Sequence, residues 1–340
     1  MAVSVWKNEG YDVLAVVVNY NSSAFIGVAK MLLYSLKKLS SYVKLKVLIV
    51  DNNSSDNSYE ELVRYARMIS LDFEAVRLGT NFGFTRAVNI AWHYARKRWF
   101  FRYFMLLNND LVIVPHNVAK LLGFLEVSNV VGVQGTIMHA SNPRIIDNAG
   151  FAVDDLGLTY AICRGHEFSC AELSYPSYLS GALSIYKVEA VEKLGQPFNN
   201  GVECYYDDKH LGLSLWSRGA KLLHVPLLSG FHIGSASYAG RRIFRSPNWF
   251  KGIVLAEVAP LYTARKNLWR LVALYYAVAA FVFSLIARSN YVGSYVAALK
   301  ELKLLKSDSY IELGRVPKMR VIGVLNRVTK GIRLNKNGKA

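Results

Sequence analysis

Three short apolar runs, each halting in small polar acceptors, most constrain how this chain can fold. Val13 to Asn19 (VLAVVVN) is continuous and rich in valine. Lys46 to Val50 (KVLIV) ends in eight small polar residues, Asp51 to Ser58. Tyr103 to Leu107 (YFMLL) ends in Asn108-Asn109-Asp110. Runs of strand length without polar alternation are strands covered on both faces, as in a parallel sheet between helices. The segments between them supply those helices: Ser22 or Ser23 to about Leu39, Asp56 or Ser58 to about Ile69, and Thr85 to Arg98 after a further strand at Phe73–Arg77. Beyond Pro115 the pattern predicts a helix to about Leu125, a strand near Val130–Gln134 and a less regular stretch from His139 to Tyr178. A strand at Ser180–Tyr186, a helix at Asp207–Arg218 and a strand at Lys221–Val225 follow. This alternation is that of an α/β sheet with helices on both faces.

Ligands of open α/β sheets gather at the carboxyl edge of the strands. Asp110 is therefore expected at a rigid strand end facing a crevice, where a carboxylate suits a hard divalent cation that in turn holds phosphate oxygens. A plain polar turn is the competing reading. Asp51 stands at the end of another buried strand, placed to accept a hydrogen bond from a base imide N–H, or to be one residue of a solvated, helix-capping loop. No G-x-G-x-x-G follows the first strand and G-x-x-x-x-G-K-[ST] occurs nowhere, which excludes dehydrogenase and P-loop readings.

Charge divides the chain. Residues 241–340 hold 19 Lys and Arg against 4 Asp and Glu, whereas residues 1–240 hold 22 against 20. A basic block of this kind meets an anionic membrane or a nucleic acid more often than it serves a fold. Within it, Leu271 to Ala287 is seventeen residues without a charge. As a helix that run reaches about 26 Å, short of a hydrocarbon core of about 30 Å. Basic residues flank both ends: Arg265, Lys266 and Arg270 before it, Arg288, Lys300, Lys303 and Lys306 after it. The expectation is apolar helices lying at a membrane interface with Lys and Arg on anionic headgroups; a buried core helix and a short span are the alternatives. Cys163, Cys170 and Cys204 have no metal-binding spacing and read as reduced thiols of an intracellular protein. Met1 to Asp12 is polar, and no signal peptide is expected there.

Taken together, the polar stretches form a series: Val18-Asn19-Tyr20-Asn21, Val50-Asp51-Asn52-Asn53-Ser54-Ser55-Asp56, Asn81-Phe82-Gly83-Phe84 with Asn89, and Asn108-Asn109-Asp110. Ser180-Gly181-Ala182, the Asp207-Asp208 pair and His232-Ile233-Gly234-Ser235-Ala236-Ser237 continue it. In order and spacing the series resembles the family 2 glycosyltransferases, nearest their rhamnosyltransferase-like branch, over roughly residues 11–240, with Arg265-Lys266-Asn267 as a further candidate. The resemblance implies a GT-A-type, Rossmann-like mixed sheet flanked by helices. Its nucleotide-binding half covers about residues 1–115 and its acceptor half about 116–240, ahead of the membrane-associating helical region 241–340. The implied activity is inverting, metal-dependent transfer of a sugar from a UDP- or dTDP-linked donor to an acceptor hydroxyl. A lipid-linked or cell-surface glycan precursor at the cytoplasmic face of a membrane is the implied acceptor, and no nucleic acid is expected as a partner.

Residue by residue, Asp51 matches the aspartate that reads uracil or thymine. Asn19, Asn53, Asn81, Gly83, Asn89, Asn109 and Gly181 fall in the donor-binding motifs. Asp110 matches the last residue of a D-x-D-like triplet that holds Mg²⁺ or Mn²⁺, and His232 a histidine near the diphosphate that is sometimes a metal ligand. Asp208 matches the catalytic base, with Asp207 where the family often has glutamate. Two departures touch the same helix: His210 stands for a further aspartate and Ser214 for an arginine. The bland readings are a loop histidine for His232, a helix-start carboxylate for Asp207, and core or interfacial positions, rather than sugar-stacking platforms, for Trp216, Trp249 and Trp269.

The chemistry asks for these residue types independently. Displacing a nucleoside diphosphate passes through an oxocarbenium-like transition state. A cation on the leaving group and a carboxylate base near the attacking hydroxyl both stabilise it. A sugar-nucleotidyltransferase would carry an early Gly-rich loop with Arg, which residues 13–25 lack. A non-enzymatic basic membrane or nucleic-acid binder would leave Asp110 dispensable.

Overall fold

The computed structural model describes residues 10–127, 129–154, 157–199, 207–233, 247–263, 269–303 and 311–318. The apolar runs are strands and the segments between them helices: β1 (Gly10–Asn19), α1 (Ile26–Leu39), β2 (Leu45–Asp51), α2 (Ser58–Met68), β3 (Phe73–Arg77), α3 (Gly83–Arg98) and β4 (Phe100–Leu107). These strands are parallel in the order β3-β2-β1-β4. Successive residues of β1 serve opposite cores: Leu14, Val16 and Val18 face α3, while Val13, Ala15 and Val17 face α1 and α2. Both faces are apolar because both are covered, which is why the run shows no polar alternation. Ser22 does not cap α1; its Oγ donates to Asn19 Oδ1 at 2.5 Å, and a 3-10 turn at Ser23–Phe25 precedes the helix.

Beyond β4 the chain departs from an all-parallel order. β5 (Leu111–Ile113), α4 (Pro115–Leu125), β6 (Val130–His139), β7 (Asn142–Asn148), β8 (Phe151–Val153) and β9 (Thr159–Ala161) lead to β10 (Leu183–Lys187), α5 (Val188–Glu192), α6 (Asp207–Ser217) and β11 (Lys221–His232). The sheet continues β4-β10-β6-β11-β5, with β7 on β6. β10 is antiparallel to both neighbours, and β5 to β11, so the sheet is mixed. Ser180 to Ala182 form a turn instead of the start of β10, because Ser180 N–H donates to Gln134 Oε1 at 2.7 Å and Ala182 N–H to Ser180 Oγ at 3.2 Å. β11 runs on to His232 through register shifts against β6. Glycine is needed at position 135, where a Cβ would lie 2.6 Å from Leu227 O of the shifted strand.

The stretch read as irregular holds β7, β8 and β9, and it corrects the cysteine reading. Cys163 and Cys170 are joined in a disulfide with Cα atoms 5.8 Å apart. The loop folds back on β7, where Gly165 N–H donates to Ile146 O at 2.8 Å and Ile146 N–H to His166 O at 2.7 Å, and so brings the two thiols within bridging range.

Three helices follow, α7 (Pro247–Thr263), α8 (Trp269–Ala287) and α9 (Tyr291–Leu302), and a 3-10 turn at Leu313–Arg315 lies beyond them. The helices share a core with the sheet. Phe250, Val254, Leu255, Val258 and Leu261 of α7 are buried in the cluster that contains α3 and α6. Burying side chains of this size contributes about 2 kcal/mol each. Phe250 meets Tyr276, Phe283 and Tyr291 edge-on, and Lys251 Nζ pairs with Glu301 Oε1 at 2.7 Å. Trp216 is a core residue whose Nε1–H donates to Pro176 O at 3.0 Å. α8 packs through Val272, Ala273 and Ala280 and leaves Leu274, Tyr275, Val278, Phe281 and Leu285 exposed on its other side. Cys204, residues 234–237, Arg265, Lys266, Asn267, Lys306 and the side chain of Trp249 lie outside the described residues.

Candidate active site

Asn19, the last residue of β1, is fully buried and ties the strand ends together. Its Nδ2 donates to Asp51 Oδ1 (2.9 Å), Ser58 Oγ (2.9 Å) and Ser54 Oγ (3.2 Å). Its Oδ1 accepts from Ser22 Oγ (2.5 Å) and Asn109 Nδ2 (3.3 Å). Asp51 at the end of β2 is buried too. Ser54 donates to it twice, Oγ to Oδ1 at 2.6 Å and N–H to Oδ2 at 3.0 Å, and Arg77 Nε lies 3.4 Å from Oδ2. Both oxygens of Asp51 are engaged by the protein, and the residue anchors the loop of residues 51–58. Because its loss would strand buried donors, Asp51→Ala is expected to lower the unfolding free energy by about 2–3 kcal/mol. A urea titration checks this, and an unchanged midpoint would show that the network carries little stability.

Around that anchor, Asn53 and Asn81 are exposed at the carboxyl edge, Asn53 with φ +63°. Asn52 Nδ2 donates to Asn81 Oδ1 at 2.8 Å, and Gly83 N–H donates to the same oxygen at 2.9 Å. Gly83 opens α3 at φ +76°, which glycine adopts without steric cost. Asn89 is placed elsewhere. Its Oδ1 accepts from Phe198 N–H at 3.0 Å and its Nδ2 donates to Phe198 O at 2.8 Å, so it clamps the backbone ahead of α6.

Asp110 is buried on a turn that reverses into β5 rather than into a helix. His232, at the end of β11, donates from Nε2 to Asp110 Oδ1 at 3.0 Å and from Nδ1 to Asp147 Oδ2 at 2.8 Å. Arg164 Nη2 lies 3.5 Å from Asp147 Oδ1. Burial works against charge on His232, but the two carboxylates outweigh it and carry the ring's pKa up to about 9. Burial likewise raises Asp147, and the bond and charge of His232, with Arg164, bring it below its ordinary value. Neither Asp147 nor Arg164 was found by sequence reasoning, since both fall in the stretch that showed no pattern. Among the described residues no three His, Cys, Asp or Glu are grouped to hold a metal ion. Among the described residues, the Asp110 carboxylate and the His232 imidazole converge at the strand ends, with Asp147 on the far nitrogen of the ring. That donor set fits Mg²⁺ or Mn²⁺ if phosphate oxygens and water fill the remaining positions.

The second carboxylate reaches the same edge from α6. Asn108 N–H donates to Ala182 O at 3.1 Å, joining the end of β4 to the Ser180–Ala182 turn. Gly181 N–H donates to Asp208 Oδ2 at 3.3 Å, and Lys209 N–H to Asp208 Oδ1 at 2.8 Å. Gln134, held by Asn148 Oδ1 at 2.7 Å, fixes the turn from beneath. Burial pushes the Asp208 carboxyl up to about 6, against the two backbone N–H groups that favour its charge. Asp207 is buried beside it in the first turn of α6, where the helix dipole favours carboxylates. Burial, helped by the charge of Arg218, lowers His210 to about 4, so this position carries no charge at neutral pH.

No curated protein sequence matches the chain. Among solved structures, it is similar to the mannosyltransferase PcManGT of Pyrobaculum calidifontis in complex with GDP-Man and Mn2+: 15% identity and TM-score 0.51, over 96% of this chain and 81% of that one. It is similar to GalNAc-T7 with UDP, GalNAc and Mn2+, at 16% identity and TM-score 0.56, over 86% of this chain and 57% of that one. TarS residues 1–349 of S. aureus in complex with UDP-GlcNAc gives 17% identity and TM-score 0.54, over 86% of this chain and 80% of that one. At such identities the likeness establishes the fold, a GT-A-type mixed sheet flanked by helices. Residues 15–195 match the family described as glycosyl transferase family 2. Since that match covers more than half of the chain, from β1 past α5, the chain belongs to glycosyl transferase family 2.

Proposed function

We propose that the protein transfers a sugar from a nucleoside-diphosphate donor to an acceptor hydroxyl, with inversion, at the carboxyl edge of the sheet. The observation that carries this reading is the Ser180–Ala182 turn, which is bonded both to Asp208 and to the end of β4 just before Asp110. Asp208 accepts from Gly181 N–H, with its carboxyl raised by burial to about 6, while Asn108, two residues before Asp110, is bonded to Ala182. Asp208 takes the proton of the acceptor hydroxyl as it attacks the anomeric carbon, and attack opposite the leaving diphosphate inverts that carbon. A base of this strength is ionised at pH 7 and still accepts a proton readily. Asp110 and His232 would hold Mg²⁺ or Mn²⁺, with Nε2 giving up its proton to do so. When bound, the ion neutralises charge growing on the diphosphate. Asp147 fixes the imidazole through Nδ1. Asn19 and Asp51 shape the loop that turns Asn53 and Asn81 toward the nucleoside of a UDP- or dTDP-linked donor.

The test is a donor screen read by release of product nucleotide, using UDP-, dTDP- and GDP-sugars with Mg²⁺ or Mn²⁺. Release is expected with one nucleotide class. Release with none of them, and no transfer to glycan or lipid-linked acceptors, overturns the reading.

We further propose that the acceptor is a lipid-linked or cell-surface glycan precursor met at the cytoplasmic face of an anionic membrane. α8 is the one helix among the described residues long and apolar enough to cross a bilayer, yet one side of it is packed on the protein. The other side is an apolar stripe, and exposed Arg270, Arg288, Lys300 and Lys303 lie near the ends of α8 and α9. This arrangement suits a helix lying in the headgroup region. Deleting residues 253–340 would also remove buried core of α7, so point changes are the better probe. Leu274→Asp with Phe281→Asp is expected to cut binding to phosphatidylserine-containing vesicles at least about tenfold, at about 1.4 kcal/mol per tenfold, without loss of the folded state. Undiminished flotation with the vesicles would refute docking through this face.

A further inference from the structure

Lys209 is fully buried, one residue beyond Asp208. Its Nζ donates to Gly157 O at 2.8 Å and pairs with Glu257 Oε2 of α7 at 3.3 Å. The same Glu257 oxygen accepts from Thr159 N–H at 3.1 Å. Gly157 has φ +76°, and a Cβ there would lie 3.2 Å from Leu261 Cδ2 of α7. Asp154, buried in the same connection between β8 and β9, accepts from Leu158 N–H and Tyr160 OH, each at 2.9 Å. The first turn of α6, the β8–β9 connection and α7 therefore close on one ammonium group.

Removing an ammonium from water is costly, and apolar residues of similar volume often serve stability as well or better. What such a pair supplies is direction. Neighbouring positions on a helix point about 100° apart, so holding Lys209 toward α7 holds Asp208 toward Gly181. We infer that Lys209 and Glu257 are a positioning pair that aims Asp208, making α7 a working part of the acceptor side of the site and not a separable anchor. This inference rests on Asp208 being the base of the proposed transfer.

The test uses the full chain with K209M/E257L, which removes both charges and leaves neither partner buried alone. Nucleotide affinity by calorimetry with UDP is expected to stay within about twofold, and sugar transfer to slow about 10–100-fold, as misplacement of a reacting group by about 1 Å does. Amide hydrogen exchange at Gly181, whose N–H bonds to Asp208, is expected to speed up at least about tenfold. Parent-like turnover, or parent-like protection of Gly181 in the folded double variant, overturns the pair. If the parent chain itself transfers no sugar, the functional reading fails, and Gly181 exchange still judges the pair by itself. Should the double variant not fold, E257Q, which keeps the volume and an oxygen for Lys209 and Thr159, gives the same two readouts. Unfolding of E257Q as well would make the pair a stability element and end the inference.

Discussion

Asp208→Asn is expected to lower turnover by about 10²–10⁴-fold while donor affinity stays near that of the parent. Asparagine has the volume of aspartate and keeps one oxygen for Gly181 N–H, now 3.3 Å from Oδ2, but its amide nitrogen cannot accept the bond that Lys209 N–H makes to Oδ1. What disappears is the ability to take a proton. The loss therefore falls on kcat and not on the donor's dissociation constant. The parent carries a second signature. Burial raises the Asp208 carboxyl to about 6, and only its ionised form accepts a proton. Activity should then be level above pH 6 and fall about tenfold per pH unit below it, and that limb should be absent from the residual activity of the variant. Turnover within a few-fold of the parent, or an unchanged acid limb in the variant, would remove Asp208 from this role.

Chelation is expected to have the next largest effect. EDTA should abolish transfer and Mg²⁺ or Mn²⁺ restore it, and Asp110→Asn should demand about 10–100-fold more metal for half-maximal rate, the scale seen when a metal site loses support. The structure gives a reason for such dependence on one residue. Among the described residues Asp110 and His232 are the converging donors, so losing one charge removes most of what the protein contributes. Metal titration of turnover checks both statements, and full activity in EDTA would sink the metal reading.

Much of the fold was legible because burial writes itself into local sequence. A strand covered on both faces must be apolar throughout, and β1, β2 and β4 stand where the three runs predicted. The place of Asp110 was legible for a related reason, because polar residues that end such a run sit at the sheet's edge, whereas Asp208 was singled out only by the family resemblance. The antiparallel entry of β10 was not legible. It depends on Gln134 capturing Ser180 N–H across the sheet, a bond between residues 46 apart that leaves no local pattern.

The same limit governs the chemistry. By itself the sequence determined which residue types line the edge and which elements deliver them, because periodicity and capping act within a few residues. Tertiary structure alone decided who partners whom. It buried Asp51 among Asn19, Ser54 and Arg77, spent Asn89 on the backbone of Phe198, set Asp147 on His232 across 85 positions, and turned Glu257 onto Lys209 across 48. Each of these is a polar group removed from water, which must find a partner wherever packing places one. That choice is made by the assembled core, after the local elements are already settled.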